Sequence, residues 1–327
     1  MSRLLTPLAH VELTTPCLDE SVAFLVDVMG MDVVTASSAS VYLRCWGDYY
    51  HHSVVLTAAD QPALSHAAWR ARSPEALREA VRAIQRAGMS GEWIDATIGH
   101  GDAFRFNGPG GHTQELFWEV EHAQVPVGEE SIYPERPQRP GTRGIATRFL
   151  DHVTVTTYDV RATADWYRRV LDFRFIGYIQ NEPDGPVFFG TVTTNEKSHD
   201  LGLIRDPEGY GRLHHLAFWV ETREDLLRGA KYLVEHGIAI EYGPGFHGIG
   251  EQEHLYFREP GGIRFEVNTG GFRNYVPDWE PVRWRDIDGP GNGYLTHSEM
   301  PAAGRELFPQ DPRRAGLVVP IAAAASG

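Results

Sequence analysis

The chain has 327 residues, with 44 acidic and 30 basic side chains and a formal net charge of −14. That charge argues against nucleic acids and anionic membrane surfaces as partners. Only two cysteines are present, Cys17 and Cys45, no apolar run reaches the ~18 residues of a membrane span, and residues 1–10 lack a signal-like apolar stretch, so a cytoplasmic protein without a disulfide framework is the default expectation.

In chain order, alternating apolar residues predict a strand over 8–14. A helix is expected over 18–29, where Leu18, Val22, Leu25, Val26 and Met29 recur at helical spacing before the stop at Gly30. Strands follow at 31–36, 40–45 and 52–57, then a second round: strand 64–70, helix 74–87 ended by Gly88, and strands near 103–106 and 114–120. Residues 121–146 read as a linker, broken by Pro126, Pro134, Pro137, Pro140, Gly141 and Gly144. The corresponding pieces of the second half start at 150, 162, 173, 187, 199, 213, 222, 254 and 263. Residues 272–300 read as a wrap on the second half, and the Ala-rich end as frayed.

The two halves repeat. Leu8-Ala9-His10-Val11 mirrors Leu150-Asp151-His152-Val153, and Leu64-Ser65-His66-Ala67-Ala68-Trp69 mirrors Leu213-His214-His215-Leu216-Ala217-Phe218. Pro109-Gly110-Gly111 leads to Glu115 as Pro260-Gly261-Gly262 leads to Glu266. Self-similarity on this scale means a duplicated module rather than a solenoid. The expected architecture is therefore α+β. Two tandem domains, 1–121 and 147–271, are joined by a linker over 122–146 and followed by an extension over 272–327, with two βαβββ units in each domain.

His152, His215 and Glu266 lie in alternating segments, so each can point inward from a strand. Two imidazoles and a carboxylate fill one face of an octahedron and leave the other open, the arrangement that non-haem Fe(II) enzymes use to bind substrate and O₂ together.

Several further motifs stand in order: Ser198-His199-Asp200-Leu201, Gly243-Pro244-Gly245-Phe246-His247-Gly248, Tyr256-Phe257 and Gly270-Gly271-Phe272-Arg273-Asn274-Tyr275, with Tyr42-Leu43-Arg44 and His51-His52 in the first half. With the triad, they give a chain that resembles the type I extradiol ring-cleavage dioxygenases of the vicinal oxygen chelate superfamily over nearly its whole length. The resemblance implies paired βαβββ modules that form open barrels, and Fe(II), or alternatively Mn(II), held by His152, His215 and Glu266 in the second domain alone. His215 rather than His214 is the ligand, because the residue followed by Leu-Ala-Phe matches His66 in the first repeat. The resemblance also implies His199 as an acid–base residue, with His247 and Tyr256 hydrogen-bonded to substrate oxygens.

The expected activity is meta cleavage of catechol, or of an alkyl- or aryl-substituted catechol, by O₂. The product is a yellow 2-hydroxymuconic semialdehyde type of compound, within aromatic catabolism. Partners would be the catechol and O₂, and the assembly a homotetramer. Alternatives are a glyoxalase-like metal isomerase and a non-catalytic small-molecule-binding protein of the same superfamily. Phe188, Thr191, Tyr242, Phe246, Trp279 and Trp284 are candidates for the substrate pocket, with Tyr242 standing where an acid-binding arginine is expected in homoprotocatechuate enzymes. Arg283 and Arg285 keep an acidic substrate open. His10, His66 and Glu115 read as a remnant of the metal site, with Arg105 in the place of Tyr256 and His52 in the place of His199.

Overall fold

The computed structural model describes residues 2–209, 211–285, 306–309 and 311. Its first unit runs through strand β1 (Leu5–Thr15), helix α1 (Leu18–Asp27) and the strands β2 (Asp32–Ala36), β3 (Ser40–Arg44) and β4 (Val54–Ala58). The last strand returns parallel to the first, with Val11 opposite Val54, which a crossover through a helix permits and a tight hairpin does not. The second unit repeats the plan with β5 (Ala63–Ala71), α2 (Pro74–Arg86), β6 (Gly91–Ile94), β7 (Ala103–Asn107) and β8 (Thr113–Phe117). Ser73 caps α2 by accepting from the Ala76 amide, and Pro74 occupies the first turn, where its missing N–H costs nothing. Leu77, Ala80, Val81 and Ile84 form the buried stripe of that helix. Gly88 ends it with φ +80°, a conformation that glycine adopts without a Cβ penalty.

The second half has the same plan. It contains β9 (Phe149–Thr157), α3 (Val160–Leu171), β10 (Arg174–Ile179), β11 (Phe189–Thr193), β12 (Leu201–Arg205), β13 (Leu213–Trp219), α4 (Arg223–Glu235), β14 (Ile240–Phe246), β15 (Gln252–Arg258) and β16 (Arg264–Gly270). Two sheets result, ordered β2-β3-β4-β1-β5-β8-β7-β6 and β14-β15-β16-β13-β9-β12-β11-β10, the second extended by β17 (Val282–Trp284) alongside β10. In each sheet the first strands of the two units are antiparallel neighbours at the centre. Everything that faces inward from those central strands therefore converges. A continuous apolar core runs through both halves, and Trp69 of β5 meets Phe173 edge to face at 5.2 Å across the junction.

The alternation locates most elements to within a few residues. Three strands were not anticipated, β6, β14 and β17, and all are sheet edges. β6 is largely exposed and so lacks an apolar signature, while Gly243, Pro244 and Gly245 inside β14 look like a loop. Pro244 is tolerated because an edge strand has one side free of ladder bonds. β8 ends at Phe117, short of the expected 120, and α1 ends at Asp27 rather than 29. The expected wrap contributes β17, while its part at 286–300 and the expected frayed end at 312–327 lie outside the described residues. Among the described residues no helix is long and apolar enough to cross a membrane, an observation that does not bear on β-barrel spans.

Candidate metal centre

The centre of the second sheet assembles the three residues singled out in the sequence. His152 projects from β9, His215 from the neighbouring β13 and Glu266 from β16, the next strand again. Their donor atoms form a tight triangle. His152 Nε2 is 3.1 Å from His215 Nε2 and 3.4 Å from Glu266 Oε2, and His215 Nε2 is 3.0 Å from that same oxygen. All three side chains are buried. Donors about 2.1 Å from one ion at near-right angles would lie about 3 Å apart, so the triangle has the size of one coordination face. Glu266 Oε1 is buried and has no hydrogen-bond partner among the described residues. A carboxylate oxygen buried without a donor is costly unless a cation satisfies it, so the residues present fit a divalent ion.

Behind the triangle stands a polar frame. His152 Nδ1 is 2.8 Å from Asp151 Oδ2, and the Asn268 amide donates to the same oxygen at 3.0 Å. Lys197 Nζ sits 3.0 Å from Asp151 Oδ1 and 3.0 Å from Asp200 Oδ1. This frame fixes the His152 ring with Nε2 toward the triangle. Burial alone would lower the pKa of His152, but Asp151 and Glu266 outweigh it and push it up to about 9. His215 goes the other way, pushed down to about 4 chiefly by burial. Glu266 lies well below the carboxylate range because the two imidazoles overcome its desolvation.

His199 lies beside the triangle, its ring centre 4.1 Å from that of His152. Ser198 Oγ donates to Gln252 Oε1 at 3.2 Å, so it accepts from His199 Nδ1 at 2.9 Å. The neutral ring consequently presents a lone pair at Nε2. Burial and the neighbouring His152 hold His199 well below the ordinary histidine range. Opposite, His247 Nε2 is 3.0 Å from the Tyr256 hydroxyl, and the Tyr256 ring lies 5.3 Å from that of His215. Tyr256 faces Glu266 directly across the β15–β16 ladder. His214 points its Nδ1 to within 2.6 Å of His215 Nδ1, behind the triangle rather than into it.

The expected pocket divides. Thr191, Trp279 and Trp284 line a cavity of about 200 Å³ that reaches Ser198, next to His199. Phe272 and Ile176 share its wall and were not anticipated. Phe188 is 43% exposed, and it, Tyr242 and Phe246 are not on that wall. Tyr242 instead stacks on His254, which stacks in turn on His247. Arg283 spends its guanidinium on the carbonyls of Gln180 and Asn181 at 2.8 and 2.6 Å. The cluster also includes residues that sequence reasoning missed: Asp151, Lys197, Gln252 and Asn268. Asp151, adjacent to His152, and Lys197, adjacent to Ser198, stood within reach of a motif.

Comparison with known proteins agrees with this picture. The model of the glyoxalase/bleomycin resistance protein/dioxygenase superfamily matches residues 8–116 and 149–267. The chain is 35% identical to a metapyrocatechase of Geobacillus stearothermophilus over 88% of each chain. It is also 35% identical to a manganese-dependent 2,3-dihydroxybiphenyl 1,2-dioxygenase of Geobacillus genomosp. 3, over 88% of this chain and 92% of that one. Among solved structures, homoprotocatechuate 2,3-dioxygenase from Brevibacterium fuscum superposes with a TM-score of 0.82 at 27% identity, covering 94% of this chain and 93% of that one.

Proposed function

Since the chain belongs to the glyoxalase/bleomycin resistance protein/dioxygenase superfamily and is an extradiol catechol-type dioxygenase, we propose that it cleaves catechol, or a catechol with an alkyl or aryl substituent, with Fe(II) at His152, His215 and Glu266. Mn(II) suits the same donors and is the alternative occupant. One observation carries the assignment of the site: three buried donors spaced as one coordination face, with an orphaned carboxylate oxygen, lie beside His199 and the His247–Tyr256 pair.

A divalent ion held by His152, His215 and Glu266 would supply Lewis-acid activation and bring together catechol and O₂, two reactants that do not combine readily by themselves. The chain's own groups supply the rest. The frame of Asp151, Asn268 and Lys197 orients His152 before any ligand arrives. His247 and the Tyr256 hydroxyl form a hydrogen-bonded pair able to take a proton from a catechol hydroxyl and hold the resulting oxyanion. His199, with its lone pair at Nε2 and its Nδ1 anchored by Ser198, is placed to accept a proton and return it as the ring opens. The apolar wall of Trp279, Trp284 and Phe272 excludes water and favours a substrate without charge. In this reading residues 147–271 carry catalysis, residues 1–121 form the companion domain and residues 122–146 join them.

The experiment is direct. Protein reconstituted anaerobically with Fe(II) and mixed with catechol in air should turn yellow, with one O₂ consumed per ring opened. Binding without colour or oxygen uptake would overturn the reading.

A further inference from the structure

The first sheet carries a second cluster in matching register. His10 stands opposite Ala68 as His152 stands opposite Ala217, and His66 stands opposite Glu12 as His215 stands opposite Thr154. Glu115 faces Arg105 as Glu266 faces Tyr256. The sequence treats this set as a remnant because Arg105 brings a positive charge. The structure adds a donor that the sequence reading left out. His100, from the loop between β6 and β7, brings its Nε2 to 3.1 Å from Glu115 Oε1. His10 Nε2 and His66 Nε2 lie 3.7 and 3.8 Å from that oxygen and 3.4 Å from each other. All four side chains are buried.

We propose that His10, His66, His100 and Glu115 hold a second divalent transition-metal ion in a closed, structural site. Among the described residues Glu115 Oε1 is buried with no donor in hydrogen-bonding geometry, while Arg105 engages Oε2. The ring tautomers point the same way. His100 Nδ1 is 2.8 Å from the Gly101 carbonyl, which can only accept, so the ring proton is there and Nε2 carries a lone pair. His66 Nδ1 is 3.1 Å from Glu12 Oε2, and that carboxylate is pinned by the hydroxyls of Thr57 and Ser65. The His100 lone pair, which the Thr97 hydroxyl also approaches at 3.0 Å, thus faces a carboxylate oxygen at 3.1 Å, which repels unless a cation lies between them.

A carboxylate behind an imidazole is the usual device that orients a metal ligand, and Glu12 stands 3.1 Å behind His66, close to it though outside hydrogen-bonding geometry, where Asp151 accepts a hydrogen bond from His152. The negative charge of Glu12 also offsets the charge of Arg105. Donors of a tetrahedral ion at about 2.1 Å lie about 3.4 Å apart; four of the six separations here span 3.1–3.8 Å, and His10, His100 and Glu115 offer donor atoms that all lie within 4.8 Å of one another. Three imidazoles and a carboxylate leave no open position, unlike the three donors of the second domain, so this ion would stabilise the fold rather than bind substrate.

Metal analysis after chelator stripping and reloading with Zn(II) or Co(II) tests this. Wild-type chain should hold about two ions, and His215→Ala, which disrupts the other centre, should still hold about one. In the cobalt form that remaining ion should show the intense visible bands of four-coordination. Adding His100→Ala or Glu115→Gln to His215→Ala should abolish it, with far-ultraviolet circular dichroism reporting the fold. Glu12→Gln, which keeps all four donors, should weaken the second ion about 10–100-fold while ring cleavage continues. A folded His215→Ala chain without metal, or an ion that survives loss of both His100 and Glu115, would overturn the proposal. Wild-type protein that cleaves catechol with a single ion overturns this site alone, and one that holds two ions without cleaving catechol overturns only the catalytic reading.

Discussion

His152 and Asp151 are neighbours in sequence, yet they form a functional pair: the Asp151 carboxylate lies 2.8 Å from the back of the His152 ring and is itself gripped by Lys197 and Asn268. Strand alternation normally sends adjacent side chains to opposite faces, so the ring must turn its Nδ1 back toward Asp151 while Nε2 reaches the triangle. Asp151→Asn should keep the fold and lower the affinity of the second-domain ion about 10–100-fold, measured by competition with a chelator of known strength. Unchanged affinity would mean that the frame does not orient the ligand.

The same pair sets a pH dependence with two opposite signs. A proton on His152, whose pKa is pushed up to about 9, competes with the ion, whereas His215, at about 4, is already neutral near pH 7. Ion binding at pH 7 should therefore release about one proton, and affinity should rise about tenfold per pH unit before levelling off above about 9. In metal-free protein the raised value is itself stabilising. That contribution is complete below about 6.5, the unfolded value, and is lost as pH rises through about 9. Calorimetry in buffers of different ionisation enthalpy and melting of the stripped protein across this range check both signs.

His215→Ala and His214→Ala should separate cleanly. The first removes a donor 3.0 Å from Glu266 Oε2, and the protein should lose one ion relative to wild type together with ring cleavage. The second removes a ring that lies behind His215, and the ion count should not change. Metal analysis showing the reverse would exchange the two assignments.

Replacing His199 by Asn should leave the ion and catechol affinity nearly intact, because its Nδ1 is committed to Ser198 and its ring lies beside the triangle. Turnover should fall by about 10²–10⁴-fold, the usual cost of losing a general acid–base group. Stopped-flow measurement with a chromogenic catechol should place the loss after substrate binding. Loss of the ion instead would make His199 a ligand.

Uncharged catechols should be preferred over homoprotocatechuate in kcat/KM, since burying a carboxylate without a cationic partner costs several kcal/mol. Arg283 offers no such partner, being held by two backbone carbonyls. A preference for the acid in competition assays would require another cation to turn inward.

Alternation and helical spacing placed the repeated βαβββ units, because burial of one face leaves a periodic trace in the sequence. The duplicated motifs brought His152, His215 and Glu266 to notice, since residues projecting from one face of adjacent central strands must converge once those strands pair. The edge strands β6 and β14 left no such trace, one being exposed and the other carrying glycine and proline. Other features were decided only when distant segments met in the folded chain. The frame of Lys197, Gln252 and Asn268 around Asp151 comes from three separate stretches, and no local pattern marks a residue whose role is to hold another. The capture of Arg283 by carbonyls depends on how β17 lies along β10, which composition cannot reveal. The approach of His100 to Glu115 depends on the path of one short loop. Sequence determined which side chains face inward, because that is a property of the period. Only the tertiary structure decided which of them touch, because contact depends on register, loop path and the packing of segments far apart in the chain.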